Sequence, residues 1–499
     1  MGHVIGVDVG SQSVKAVLCA PDGRTLATAA HPCSMIHPRS GWSEQDPRQW
    51  RAGIAATTRA VIGRAGVRPG EVSHIALACQ VDGVVPVDRN LQALRAGIIW
   101  LDRRAAQQAR DLTDKLTAET IFQVSGLNAD SSHSGPKMMW LRDAEPRTFR
   151  NAALLPPVAG YLLGWLAGIA AQDHANASSS LLYDVRARDW SDRLLAAADI
   201  DPRLLAPIRP AHEAAGPLTA AAAEELGLTT ACVAVVGTGD DHAAALGAGI
   251  VGRGAIADVT GTAEPVAVAT AEPVFDDLRL VETHAHAADG TLLVENPGFV
   301  SGGSVMWLAQ ALGATQGDVF QWAAGAPAGA AGVLFVPALS GATAPRWNDE
   351  MRGGFAGLSM NHGREHLARA VIEGCSFALR DITDRLAAIG LGGEEIRVVG
   401  GGGRSELWLQ AKADITGLPA RPVVDAEPTA LGAAMLAQAC AGNFADVAEA
   451  AGQMPVLAAR CYEPDPRTET VYQEAYMRYR RLFDALEDAL GDATEEAAR

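Results

Sequence analysis

Near the middle of this 499-residue chain, residues 233–249 read Val-Ala-Val-Val-Gly-Thr-Gly-Asp-Asp-His-Ala-Ala-Ala-Leu-Gly-Ala-Gly. An apolar run of β-formers breaks at Gly237 and Gly239, presents Asp240, Asp241 and His242, and resumes as a small-residue helix. That order puts carboxylates at the C-terminal end of a buried strand, where open α/β sheets bind ligands. The chain is too long for one ordinary core, so two α/β domains are expected, residues 1–249 and 250–499. Asp240 then falls close to their junction, and we read it as the chemical centre.

Hydrophobic residues make up 48% and charged residues 20%, the balance of a globular protein with a sizeable core. A formal charge of −17 argues against nucleic acid or an anionic membrane as partner, because both need a basic surface. It leaves phosphate ligands open, since a nest of backbone N–H groups binds them on an acidic protein. The 7 cysteines are dispersed without a Cys-x-x-Cys pair, which suits reduced thiols in the cytoplasm. No basic-then-apolar leader opens the sequence. Residues 152–171 are the most apolar stretch, but Pro156, Pro157 and several glycines make them a buried helix rather than a membrane span.

From Val4 the pattern is strand, tight turn, strand, with Asp8 in the first strand and Gly10, Ser11, Gln12 and Ser13 in the turn. The turn offers N–H groups and hydroxyls to a phosphate oxygen, and Asp8 beside it can hold Mg²⁺ through water. A plain hairpin explains the same residues equally well. Asp46 and Pro47 are a good N-cap and first residue for a helix. A strand over residues 72–79 ends at Gln80, Val81 and Asp82, and another ends at Trp100, Asp102 and Arg103. These ends can line a polar small-molecule site or simply cap the next helix. Residues 255–260 form a strand ending in Gly261 and Thr262, a second candidate phosphate turn. A strand at Arg397 runs into four glycines, Gly400 to Gly403, then Arg404 and Ser405, and a helix from Glu406. Glycines at a strand-to-helix junction let a phosphate or a flat ligand approach the backbone. Both halves open with strands broken by a Gly-Ser/Thr turn, which hints at a duplicated α/β unit. Residues 472–490 carry Tyr476, Tyr479, Leu482, Phe483 and Leu486 at helical spacing, so a docked amphipathic helix is expected.

Several chemistries are excluded by absence. There is no Gly-Lys dipeptide and hence no Walker A loop, no Gly-x-Gly-x-x-Gly after the first strand, and no Gly-x-Ser-x-Gly elbow. His284 with His286, and His362 with His366, lack a convincing third zinc ligand, so structural roles are expected for both pairs.

Taken in order, these motifs resemble the FGGY carbohydrate kinases over essentially the whole length, closest in pattern to the xylulokinase branch. The most specific parts are Gly353-Gly-Phe-Ala-Gly-Leu358 followed by His366-Leu-Ala-Arg-Ala-Val-Ile-Glu373, and Pro136-Lys-Met-Met-Trp-Leu141. The resemblance implies two ribonuclease-H-like (actin-like ATPase) domains flanking a central catalytic cleft that takes a sugar and Mg²⁺·ATP. It implies Asp240 as general base, Asp8 with Gly10–Ser13 and Lys15 at the metal and phosphates, and Gly261 and Thr262 as second phosphate loop. Gly401, Gly402, Gly403 and Ser405 would serve the nucleotide, and Gln80, Val81, Asp82, Trp100, Asp102 and Asp241 the sugar. Kinases of this kind are often dimers, so a homodimer is a possible assembly, although no segment is visibly an interface.

The departures concern the substrate. Xylulokinases typically carry Gln-Met-His-Gly where this chain has Gln80-Val-Asp-Gly83, and the 340–345 loop also differs. A carboxylate at position 82 accepts hydroxyl hydrogen bonds, and acids at 82, 102, 240 and 241 favour neutral ketoses or polyols over sugar acids. D-Xylulose to D-xylulose 5-phosphate is the leading expectation. The alternatives are another pentulose or a polyol such as erythritol, ribitol or glycerol, and, more remotely, a non-catalytic nucleotide-binding sensor.

Overall fold

Alternating apolar residues between His3 and Cys19 make strands β1 (His3–Val9) and β2 (Ser13–Cys19), paired antiparallel around the expected turn. The computed structural model describes residues 2–348, 350–424, 427–454 and 457–497, with side chains to residue 489; the end of the expected second domain, 498–499, lies outside the described residues. β3 (Thr25–Pro32) extends the meander, and α1 (Pro47–Ala65) begins at the expected cap, Asp46 accepting from the Arg48 N–H. β4 (Val72–Cys79) then runs parallel to β1. After α2 (Ser134–Ala144) and α3 (Val158–Ala167), the latter buried as its apolar sequence demands, come β5 (Ala214–Pro217) and α4 (Ala220–Leu226).

The stretch at 233–249 resolves into β6 (Val233–Val235), β7 (Thr238–Gly239) and α5 (Asp240–Gly247). Gly237 turns between the two strands at φ +82, and a Cβ there would sit 2.2 Å from the Leu77 carbonyl oxygen. Only glycine meets both conditions. The first sheet has the order β3-β2-β1-β4-β6-β5, with β7 pairing β4 as well.

The second sheet is built from β8 (Ala255–Thr260), β9 (Val266–Thr270), β10 (Glu282–Ala285), β11 (Leu292–Asn296), β12 (Glu395–Gly400) and β13 (Ala420–Pro422). Its order is β10-β11-β9-β8-β12-β13. In each sheet a first strand pairs antiparallel with the second and parallel with a later one, so the duplication hinted at by the sequence is present in the topology. Helices α6 (Arg364–Ala388) and α7 (Glu406–Thr416) cover the second sheet, with α8 (Pro428–Cys440) and α9 (Glu469–Ala497) following. Tyr472, Tyr476, Tyr479 and Phe483 of α9 are buried in the second core, as the helical spacing predicts. Among the described residues, no helix is long and apolar enough to cross a membrane.

The most telling packing is between α5 and α8. Ala243 and Leu246 of α5 share a core with Ala430 to Ala437 of α8 and with Val4, Val17 and Ala76 of the first sheet. Ala245 and Ala248 join a different core with Ile256's neighbours Ala255 and Ala257 in the second sheet. α5 therefore touches both sheets, and α8, although late in the chain, lies on the first. The contact is at backbone range: a Cβ on Gly432 would fall 1.9 Å from the Ala243 carbonyl, on Gly247 2.0 Å from that of Pro428, and on Gly6 2.0 Å from that of Ala430.

Gly432→Ala is expected to destabilise the protein by about 1–3 kcal/mol through this overpacking. Gly452→Ala, where an added Cβ meets nothing within 4 Å, should leave the urea midpoint unchanged or raise it. Equal midpoints for the two variants would contradict the close crossing.

Candidate active site

Each sheet sends strand ends and turns toward one cleft of about 910 Å³. The first half contributes Asp8, the Gly10–Ser13 turn, Val81, Asp82 and Trp100, and α5 presents Asp240 and Asp241 from its first turn. The second half contributes Val259, Ala263 and Pro265 from around the 261–262 turn, Glu282, His284 and Glu295 from β10 and β11, and Ser340, Thr343 and Trp347. Hydrogen bonds tie β10 to the first half: the Thr283 N–H donates to the Gly126 carbonyl at 3.0 Å and the Ala285 N–H to Ser178 Oγ at 3.1 Å.

Asp240 opens α5, where backbone N–H groups favour a carboxylate. Burial nevertheless pushes its carboxyl up to about 6, against the N–H groups of Val81 and Asp241. Burial, then Asp240, pushes Asp8 up to about 7, with Lys15 opposing. Asp241 is driven up by burial and by Asp240. One end of the cleft therefore gathers three half-buried carboxyls whose desolvation and proximity disfavour their charged forms. It is a place for a cationic or proton-bearing reactant.

Residues 3–247 match the model of the FGGY family of carbohydrate kinases, N-terminal domain, and residues 257–441 that of the family's C-terminal domain. The chain belongs to the FGGY family of carbohydrate kinases. It is 31% identical to the xylulose kinase of Escherichia coli (strain K12), covering 97% of this chain and 99% of that one. It is also 31% identical to the glycerol kinase of Aromatoleum aromaticum, over 97% and 98% of the two chains. A solved xylulose kinase structure from Rhodospirillum rubrum superposes with a TM-score of 0.90 at 27% identity, covering 98% of this chain and 100% of the other. The two-domain, actin-like architecture expected from the sequence is thus that of FGGY sugar kinases.

The cleft does not gather every residue the sequence singled out. Asp102 needs correction as a sugar contact. It is fully buried, accepts from the Ser43 N–H at 2.5 Å and the Arg104 N–H at 2.9 Å, and pairs with the Arg104 guanidinium at 2.7 Å. A buried charge must be paired, and here the protein's own groups use up both oxygens. Gln80 is also buried behind the wall. It donates to Gln45 at 2.6 Å, and Gln45 donates to the Ser11 carbonyl at 2.8 Å, so Gln80 braces the Gly10–Ser13 turn. Lys15 pairs with Glu427 at 2.9 Å. Gly261 and Thr262 form a turn whose carbonyls accept from the N–H groups of Ser301, Gly302 and Gly303, while their neighbours line the cleft. Gly401, Gly402 and Gly403 lie in a 3₁₀ turn after β12 and outside the cleft lining; Ser405 caps α7, accepting from the Trp408 N–H at 3.3 Å.

Other residues came to light only in three dimensions. His133 Nδ1 lies 3.3 Å from Asp82 Oδ1 and 2.8 Å from the Ser179 carbonyl. Burial opposes its charge, but Asp82, Glu282 and Asp130 outweigh burial and push the ring up to about 9. A histidine thus stands in the site although position 82 has lost one. Arg103 pairs with Asp130 at the rim. Lys137, from the first family signature, donates to the Asp82 carbonyl at 2.9 Å and holds that residue at φ 59. Glu373, from the second, accepts from Arg369, Tyr472 and the Gly329 N–H, which makes it a knot beneath α9 rather than part of the cleft. His242, His284 and His286 cluster with ring centroids 5.6 and 5.9 Å from His242. Among the described residues no group is arranged to hold a metal ion through three or more such ligands.

These buried groups set a pH dependence. Asp8, Glu264, Glu295 and His133 titrate near 7, 7, 8 and 9 in the folded protein, against ordinary values of 3.8, 4.5, 4.5 and 6.5. Above pH 6.5 the unfolded chain has already released these protons and the folded chain has not, so stability falls as pH rises from 6.5 to about 8. Above that Lys137, which burial holds down at about 8 against an ordinary 10.5, releases its proton first in the folded chain and opposes the trend. The melting temperature of the free protein should drop from pH 6.5 to 8, and Glu295→Gln should flatten the slope. A melting temperature that rises from pH 6.5 to 8 would refute this.

Proposed function

We propose that this chain transfers the γ-phosphoryl group of ATP to a hydroxyl of a neutral ketopentose, D-xylulose to D-xylulose 5-phosphate being the leading reaction. The single observation that carries the reading is Asp240 at the first turn of α5, in a cleft lined by the Gly10–Ser13 turn of the first half and by Val259 and Ala263 beside the 261–262 turn of the second. The Asp240 carboxylate takes the proton of the attacking hydroxyl. The sugar oxygen then bonds to the γ-phosphorus as the bond to the β-phosphate oxygen breaks and ADP leaves. Phosphoryl transfer needs mainly positioning and charge neutralisation, which a base and fixed N–H donors supply.

Asp8 fits a Mg²⁺ ion: it is a cleft-lining carboxyl raised by desolvation and then by the charge of Asp240, and Mg²⁺ keeps most of its water while using one or two carboxylates. Bound there, Mg²⁺ would neutralise phosphate charge. The Gly10–Ser13 turn would offer N–H groups to the phosphates, and the 401–405 segment would face the adenosine side. Seven dispersed cysteines without a Cys-x-x-Cys pair agree with a cytoplasmic enzyme.

A second reading, a kinase for another pentulose or a polyol, is favoured by Asp82 and by the glycerol kinase relative. Sugar acids fit neither reading, because Asp82, Asp240, Asp241, Glu282 and Glu295 all face the cleft.

ADP release with D-xylulose, D-ribulose, ribitol, erythritol and glycerol tests both readings. We expect the largest kcat/KM for a five-carbon substrate. Asp240→Asn should lower kcat by about 10³-fold or more while nucleotide still binds. Because the base acts ionised, kcat/KM should fall as pH drops through about 6. Nucleotide binding without ADP release on any of the five compounds would sink the enzyme reading.

A further inference from the structure

The wall of the cleft opposite Asp82 carries an arrangement that folding alone does not explain. Glu282 on β10 and Glu295 on β11 are direct cross-strand partners in an antiparallel pair. Two carboxyls directly opposite one another cannot both ionise without repulsion that destabilises the sheet. Both are buried, at 5% and 7% exposure, and both line the cleft. Glu282 accepts one hydrogen bond, from the Asn128 N–H at 2.7 Å. His284, two residues along β10 on the same face, is 5% exposed and also lines the cleft. Its Nε2 lies 3.3 Å from Glu295 Oε1, but the angles are not those of a hydrogen bond, and both ring nitrogens lack partners. Leaving a buried polar group without a partner is unfavourable. Such local conflict marks a site shaped for a ligand rather than for the fold.

We propose that Glu282, His284 and Glu295 form a hydroxyl-binding wall contributed by the second sheet. It would take the part of a neutral polyhydroxylated substrate away from the hydroxyl presented to Asp240, and it rests on the sugar-kinase reading.

Three observations give the wall its chemistry. It lies at the Asp82 end, because the charges acting on His284 are those of His133 and Asp82. Burial and then His133 hold the His284 ring neutral, down at about 4. Burial, then Glu282, Asp82 and Asp240, keeps Glu295 protonated up to about 8. At neutral pH the wall thus offers the Glu295 carboxyl as donor, a ring N–H donor, a ring acceptor and the oxygens of Glu282, whose carboxyl burial also pushes up while His133 opposes. A sugar hydroxyl donates one hydrogen bond and accepts two, so adjacent hydroxyls match this set. An anionic group would meet Glu282, and the described residues are not arranged to ligate a metal ion. With Asp82 and His133 across the cleft, the substrate would be gripped by both halves of the protein.

The test uses His284→Leu, Glu295→Met and, as conservative control, Glu295→Gln, in the full chain. ADP release is measured on the five-compound panel, with melting temperature recorded in parallel. For the best five-carbon substrate, His284→Leu and Glu295→Met should raise the sugar KM about tenfold or more, the loss of one or two hydrogen bonds. The KM for ATP should stay within about twofold, and Glu295→Gln should return the sugar KM to within about threefold of wild type. Melting temperatures should hold or rise, because an orphaned buried polar group has been removed. A sugar KM unchanged in both apolar variants, or one raised equally for sugar and ATP, overturns the wall while leaving the kinase reading intact. Wild-type protein that releases ADP with none of the five compounds defeats the kinase reading, and the wall with it.

Discussion

Everything in the site depends on two small-residue helices meeting at backbone distance. α5 and α8 approach so closely at Gly247 and Gly432 that neither position has room for a Cβ. The alanines around them fill the remaining space, sharing one core with the first sheet and another with the second. Larger side chains would push the sheets apart, and the cleft between them would lose its width. Asp240 sits at the first turn of α5, so the same contact that joins the halves also holds the proposed base at their meeting point. Helix–helix packing at this range gains from dispersion over many short contacts, and it does not tolerate an extra methyl group.

The cleft runs the opposite way energetically. Asp8, Asp240, Asp241 and Glu295 are all driven toward their protonated forms by burial and by one another. Elsewhere the protein pairs its buried charges carefully. Asp102 is clamped by Arg104 and Ser43, and Lys412 is held among Asp258, Thr260 and Glu264. Pairing where the role is structural, and its absence where reactants are to enter, separates scaffold from site. By that criterion Asp102 belongs to the scaffold and Asp240 to the site, although the sequence presents them alike, each after an apolar run.

Elements with strong local signals were legible in advance. The β1–β2 hairpin, the Asp46-capped helix, the buried helix within 152–171, and the strand–glycine–acid break before Asp240 follow from periodicity and capping. His133 was not legible, because 51 residues separate it from Asp82. Nor was the Glu282–Glu295 pairing, which exists only once β10 and β11 are in register. The family signatures were legible as motifs but not as parts. Lys137 braces the Asp82 loop, and Glu373 ties α6 to α9, neither of which a motif match conveys.

The sequence alone determined the class of fold, the family, and the carboxylate at a strand end on which the proposed chemistry rests. Those depend on residue order over short spans, where backbone conformation and apolar spacing speak directly. Only the tertiary structure decided which polar residues face the cleft and which are spent on one another. That choice is made by contacts between distant segments, and a side chain's charge state follows from what those contacts bury and what they leave without a partner.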